Sequence, residues 1–437
     1  MRTIRDTSRT VRLWLYALGA ALTMVVAAMS RVDVRTDTVR FLIAAAVASA
    51  IYAGAVVLVF RASPSTRKGL WLCLAAAVLC RVPLLLAEPT LSDDIYRYIW
   101  DGRVQSFGFN PYVSAPGDPA LQHVHTPVTL QTSYPALPTI YPPAAQWFFR
   151  AVGSVDGSVG ALKLAFVLCD LLLILLLLRW LALTGHSAWR VLVYAWNPLV
   201  LLEVAGSGHL DVLGAMLLFL SFLALSQRIT WLAALSFVLA VEVKFLPVVL
   251  APLLWRRIRA RDAVVAAGVA LAVGAPFLIG VTGAPVGSLP VYLQKWRFNG
   301  PAFAAIEYVV AGRWVTLVPA IVGVTVAMCV RTHASSPWAW AWAMGAALLL
   351  MPALYPWYLL WLVPFLCVVE TAPLLVWTQS VLLTYVVWHG FTGAAEWQVP
   401  WWAQVAEFGS VGAAAAWVVV RALTRRGARP ATALGGS

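Results

Sequence analysis

The chain has 437 residues, 62% of them hydrophobic and 11% charged, with a mean hydropathy of +0.82. A soluble domain of this size cannot bury so much apolar surface, so lipid must be much of its solvent. The net charge of +13 does not point to nucleic acid, because the basic residues sit at the ends of apolar runs, in the positive-inside pattern.

In chain order, apolar runs predict spans over 11–29, 41–60 and 70–87. Arg2, Arg5, Arg9 and Arg12 precede the first, and Arg61, Arg67 and Lys68 follow the second. The first run is long and lacks a small-residue cut site, so it reads as an uncleaved span. Further spans are expected over 159–178, 191–205, 210–225, 229–241, 245–255, 263–281, 314–330, 337–351, 357–369, 374–388 and 405–420. Several are shorter than the ~20 residues a straight span needs, which predicts tilted, broken or re-entrant pieces. Arg256, Arg257, Arg259 and Arg261, then Arg421, Arg425, Arg426 and Arg429, reach the same side as the first arginines. Both termini are therefore expected in the cytoplasm, with outer loops over 88–158, 282–313 and 390–404. The fold class is an all-α polytopic membrane protein, one integral-membrane domain over residues 1–437.

The first outer loop opens with Leu91-Ser-Asp-Asp-Ile-Tyr-Arg-Tyr-Ile-Trp-Asp-Gly102. Ser92 or Asp93 caps a predicted helix over 94–106. Asp93, Arg97 and Asp101 recur every fourth residue, so Arg97 can pair with either acid, while Ile95, Ile99 and Trp100 suit a lipid interface. A salt-bridged surface helix explains these residues. So does a general base at the membrane surface, since lipid and a like-charged neighbour both raise a carboxyl pKa towards the useful range. Arg97 engages Asp93 in this reading, which leaves Asp94 as the base.

Later in the loop, Tyr134-Pro-Ala-Leu-Pro-Thr-Ile-Tyr141-Pro-Pro143 sets tyrosines among rigid prolines, as carbohydrate sites and ordinary loop-to-helix joins both do. Gly206-Ser-Gly-His-Leu-Asp211 brings His209 and Asp211 to the outer end of a span pair, either as a polar cap or as ligand contacts. Lys244, in Val243-Lys-Phe-Leu-Pro247, either pairs with Glu203 or Glu242 or awaits an anion such as a lipid phosphate. Lys295 and Arg297 flank Trp296 in the second outer loop and can complete that phosphate site or remain solvated. Tyr355 and Trp357, in Leu354-Tyr-Pro-Trp-Tyr358, fit an interfacial belt or a groove for a polyprenyl chain. His123 and His125 lack an acidic partner at metal spacing. The five cysteines (Cys73, Cys80, Cys169, Cys329, Cys367) fall inside predicted spans and form no Cys-x-x-Cys pair.

Asp-Ile-Tyr-Arg-Tyr98, Tyr141-Pro-Pro, Gly-His-Leu-Asp211, Lys244-Phe-Leu-Pro and Tyr355-Pro-Trp-Tyr, in this order over about 70–364, resemble the bacterial polyprenol-phosphate-mannose-dependent mannosyltransferases, which are GT-C integral-membrane glycosyltransferases. The resemblance implies a GT-C-like bundle of about 12–14 transmembrane helices in the bacterial plasma membrane. It also implies a polyprenyl-phosphate mannose donor, a glycolipid or glycan acceptor, and inverting transfer on the outer face. By it Asp94 (or Asp93) is the base, and Lys244, Arg297, His209 and Lys295 hold the donor phosphate. Tyr98, Asp101, Tyr141, Asp211, Tyr355 and Trp357 are then expected to contact substrate. The chain departs from many members in carrying the acidic motif after its third predicted span, and in having Asp where some branches have Glu. No cofactor is expected, although a divalent ion bridging Asp93 and the phosphate is compatible with the residues. Membrane lipids are partners and nucleic acid is not. A carrier or flippase for a lipid-linked sugar would use the same cations and aromatics. It would place charges at the bilayer midplane in related halves, whereas these polar residues gather at one face without an internal repeat.

Overall fold

A computed structural model describes residues 2–61, 67–281, 285–310, 312–368, 371–390 and 397–427, with backbone only at 2–8, 313 and 425–427. Arg429, and the parts of the predicted outer loops at 282–284, 311 and 391–396, lie outside the described residues. Long apolar runs form α1 (Arg2–Met29), α2 (Thr38–Arg61) and α3 (Arg67–Leu86). Two helices of the 88–158 connection follow, α4 (Asp94–Ser106) and α5 (Pro143–Val155), and then α6 (Val159–Leu183). Among the described residues, seven helices are long and apolar enough to cross a membrane, and the protein is an all-α polytopic membrane protein.

Several expected spans are not continuous α-helices, four of them through most of their length or at their middle. Residues 191–205 are divided among Leu192–Ala195, Pro198–Val200 and a π-helix, Leu201–Gly206. Leu246–Leu254 and Pro356–Trp361 are 3-10 helices, and Ala372–Ser380 passes into a 3-10 helix, Val381–Trp388. Pro198, Pro247, Pro252, Pro356 and Pro373 each remove an amide donor, and broken backbone is tolerated at this depth only where protein surrounds it. The surrounding side chains do repair some of the breaks. Asn197 accepts from Leu199 N (3.0 Å) and donates to Thr378 Oγ1 (3.1 Å) and the Tyr52 hydroxyl (3.3 Å).

Two polar ties set where the 88–158 connection begins. Arg81 of α3 and Asp170 of α6 form a buried ion pair, and Arg81 also donates to the Ala77 (2.8 Å) and Ala195 (3.0 Å) carbonyls. Lys163 of α6 donates to the Leu84 (2.7 Å) and Ala87 (2.6 Å) carbonyls, satisfying orphan acceptors where α3 ends. The chain therefore leaves α3 at a fixed point, a few residues before Asp93.

Helix α4 starts where the spacing predicts, with Ser92 Oγ accepting from Asp94 N at 3.2 Å. Its faces differ from the expectation. Ile95 and Ile99 are buried in the bundle core, because α4 is clamped between α5, α6 and the turn at Gly208, and Trp100 is buried in a separate cluster with Val104, Leu121 and Val124 rather than laid along lipid. Gly208 lies at φ +75°, and a Cβ there would stand 2.6 Å from Ile95 Cδ1. Only glycine lets that turn meet α4.

Candidate active site

The first turn of α4 presents its two acids to different surroundings. Asp93 pairs with Arg35, from the α1–α2 connection, and accepts from Ser133 Oγ at 3.4 Å. Arg35 is itself held by the Thr90 carbonyl (3.2 Å) and lies 4.7 Å from the centre of the Trp388 ring. The expected Asp93–Arg97 pairing is corrected accordingly: Arg97 bonds Asp101 at 3.0 Å and the Leu137 carbonyl at 2.7 Å. Asp101 is wholly buried, also accepting from Thr139 Oγ1 (2.5 Å) and Gln146 Nε2 (3.0 Å). It ties α4 to the Tyr-Pro-Pro segment and α5. Tyr98 and Tyr141 lie in the same packed wall, Tyr98 stacked on Phe149 at 4.8 Å and edge-on to Tyr141 at 5.0 Å.

Asp94 has no Lys or Arg ion-pair partner among the described residues, and its side chain is 37% exposed. Desolvation by the protein packed around the carboxyl lifts its pKa to about 6, against the pull of the Lys244 ammonium. Asp211 and Asp93 add to the rise and Arg97 opposes it. A carboxylate with this pKa is ionised at neutral pH and basic enough to take a proton.

Lys244 does not pair with Glu203 or Glu242. Its Nζ bonds Asp211 Oδ1 at 2.8 Å and sits 3.7 Å from the centre of the Tyr358 ring. Asp211 Oδ1 also accepts from Trp361 Nε1 at 2.7 Å. That indole packs on Gly214, where a Cβ would come within 2.0 Å of it. Tyr292, of the segment before α-helix Pro301–Val309, shares a 2.6 Å hydroxyl contact with Tyr358. The ammonium is thus fixed by one carboxylate and an aromatic face, and its side chain stays 17% exposed.

His209 stacks flat on Trp357 with centroids 4.0 Å apart, Trp357 on Tyr355 at 4.7 Å, and Tyr355 on Phe298 at 4.6 Å. This row of rings reaches from Phe298 to the acids: His209 Nδ1 is 3.8 Å from Asp94 Oδ2, and Nε2 is 3.4 Å from Glu203 Oε2. Burial and the nearby Lys244 push the imidazole pKa well below its usual value, so the ring is neutral. Asp94, His209, Lys244, Asp211 and Trp357 thus converge on one site, with Tyr355 one ring further out. Lys295 is exposed, and Arg297 is engaged by Glu307 at 2.6 and 3.1 Å. Among the described residues neither makes an ion pair or hydrogen bond with Lys244, His209 or Asp94. Tyr134, at φ 53°, stands 59% exposed and edge-on to Trp296 at 4.9 Å.

The model of the alpha-(1->6)-mannopyranosyltransferase family, N-terminal domain, matches residues 10–258, more than half of the chain. The chain belongs to this family. An alpha-(1->6)-mannopyranosyltransferase of Mycobacterium tuberculosis (strain H37Rv) is 30% identical over 150 residues, a stretch covering 31% of this chain and 24% of that relative. No solved structure matches the chain. Asp93, Asp94, Glu203, His209, Asp211 and Lys244 fall inside the family match; Tyr292, Tyr355 and Trp357 lie beyond it.

Arg35, Trp361 and Tyr358 were not singled out from the sequence, and Glu203 figured only as a possible partner of Lys244. Arg35 lies in a short connector among several arginines, and its partner is 58 residues away. Glu203 is one acid inside an apolar run, and that isolation was a usable signal, since buried membrane carboxylates need a reason to be there.

Proposed function

We propose that this protein is a GT-C-type mannosyltransferase that moves mannose from polyprenyl phosphate to a sugar hydroxyl at the outer face of the plasma membrane. The observation that carries the reading is Asp94, a partly exposed carboxyl lifted to about 6 beside a fixed ammonium. Asp94 takes the proton of the acceptor hydroxyl as that oxygen bonds to the anomeric carbon. The bond from that carbon to the phosphate oxygen breaks, and its electron pair leaves with the lipid phosphate. Lys244 meets the charge that grows on the leaving group, where a preorganised cation is most effective. Phosphate leaves without an acid, so a single carboxylate suffices and a glycosidase-like pair is not required. Attack from the face opposite the phosphate inverts the anomeric carbon, so a β-linked donor gives the α linkage in the family's name, and the accepting group is a 6-hydroxyl.

The faces of the row from Phe298 to Trp357 are spent on one another, so the row and the Tyr292–Tyr358 pair offer the donor's sugar and first isoprene units ring edges and tyrosine hydroxyls. The test is transfer by the purified protein in nanodiscs, from radiolabelled polyprenyl phosphate mannose to a membrane-lipid acceptor pool, with anomeric analysis of the product. An α-(1→6) product from this donor is the expected result. A product formed only from a nucleotide sugar, or one that retains the donor's configuration, would overturn the reading.

A further inference from the structure

Behind Asp94 lies a row of buried polar atoms that proton transfer to Asp94 does not by itself require. Stacking on Trp357 fixes the plane of the His209 ring. Its two nitrogens then face one carboxyl group each: Asp94 Oδ2 at 3.8 Å and Glu203 Oε2 at 3.4 Å. Neither nitrogen, nor Glu203 Oε2, has a hydrogen-bond partner among the described residues, and the Ser207 hydroxyl, which is near enough to Glu203 to donate to it, is bare as well. Glu203 is wholly buried on the π-helix, and its other oxygen already accepts from the Tyr385 hydroxyl. Buried polar atoms left bare are costly, so three of them in line indicate a chain that closes.

The donor count decides how. A neutral imidazole has one N–H and one lone pair. With hydrogen on Nδ1 it donates to an ionised Asp94, and the Nε2 lone pair then requires a hydrogen on Glu203 Oε2. With hydrogen on Nε2 the order reverses, and Asp94 would have to hold a proton before any substrate arrived. Only the first arrangement leaves a working base, with the trio's one negative charge at its water-accessible end. We propose that Glu203 and His209 are positioning residues: Glu203 donates to His209 Nε2, and His209 Nδ1–H holds Asp94 Oδ2, leaving Oδ1 for the acceptor hydroxyl. The separations are long, as such contacts often are before substrate binds, and they tighten in the complex. The charged groups around the trio are Lys244, Asp211, Asp93 and Arg97. The proposal rests on Asp94 being the base.

The tautomer can be read without turnover. In the full chain labelled with 15N-histidine in nanodiscs, His209 is assigned by loss of its signal in His209→Phe, which keeps a ring on Trp357. We expect a neutral Nδ1–H ring at about pH 7–8, preserved in Glu203→Gln, whose amide still donates, and shifted towards Nε2–H in Glu203→Leu. In transfer assays His209→Phe should lower kcat roughly 100-fold with the donor KM within about twofold, while Glu203→Gln stays within a few-fold of wild type. A cationic or Nε2–H ring in the wild type would overturn the chain. So would a His209→Phe enzyme with intact kcat and a raised donor KM, which would make His209 a phosphate contact. An Nδ1–H ring alongside a fully active Asp94→Asn would instead overturn the base assignment. An Nε2–H ring alongside an inactive Asp94→Asn would leave the base standing and remove its positioning.

Discussion

Asp93 and Asp94 are neighbours at the start of α4, yet one is occupied by a guanidinium and the other is partly exposed and faces His209. The acid pair and Lys244 were legible in the sequence because isolated charges beside apolar runs are expensive and few. Their partners were not. Arg35 comes from 58 residues upstream of Asp93, and Asp211 from 33 residues upstream of Lys244, separations at which a single sequence carries no pairing signal. The electrostatics give a pH dependence with a definite sign. Below about 6 Asp94 is protonated and cannot accept a proton, so activity should rise with pH through that value. Lys244 lowers the Asp94 pKa, so Lys244→Met should move the acid limb of the kcat profile to higher pH as well as weakening transfer. An acid limb that stays in place in Lys244→Met would show that the two groups do not interact.

At the scale of elements, helix α4 was legible in extent, because Ser92 and the acids mark its start and no proline interrupts it. Its orientation was not, since periodicity separates a polar face from an apolar one without saying whether lipid or protein covers the latter. Ile95 shows the difference: a site beneath Gly208 holds it, and that contact joins segments more than a hundred residues apart. The broken spans were foreshadowed by their short lengths and prolines, but which breaks became 3-10 and which became π turns on packing that the sequence does not display. Gly208→Ala tests how α4 is seated. A side chain at φ +75° costs about 1–2 kcal/mol in backbone strain alone, and its Cβ would push on Ile95. We expect lower thermal stability in detergent, together with a fall in kcat as Asp94 shifts. Unchanged stability and rate would mean that the turn does not seat the helix.

Over the whole molecule, hydropathy and arginine placement sufficed for an all-α membrane protein, while the ties that hold its helices in register lay hidden inside apolar runs. Arg81 and Asp170 are the clearest case, Arg81 the one charge in its run and Asp170 sharing its run with Lys163 alone, and both are buried. Such a pair is a poor source of net stability when intact, but removing one partner strands the other, at about 3–5 kcal/mol. Asp170→Ala should therefore unfold at markedly lower temperature in detergent, with Asp170→Ala/Arg81→Met recovering part of the loss. A single variant as stable as wild type would mean that water reaches Arg81. Orientation is testable on the same scale. Ser133→Cys, beside Asp93, should react with a membrane-impermeant maleimide added outside intact cells, and labelling only after lysis would place the site in the cytoplasm.

The most direct measurement compares wild type, Asp93→Asn and Asp94→Asn for mannose transfer from polyprenyl phosphate mannose, with all three proteins reconstituted and matched for thermal stability. Asp94→Asn should lose at least about 100-fold in kcat. Asp93→Asn, which only frees Arg35, should keep most of its rate. A fully active Asp94→Asn, or a loss confined to Asp93→Asn, would move the base to the neighbouring carboxylate and undo the division of labour between them.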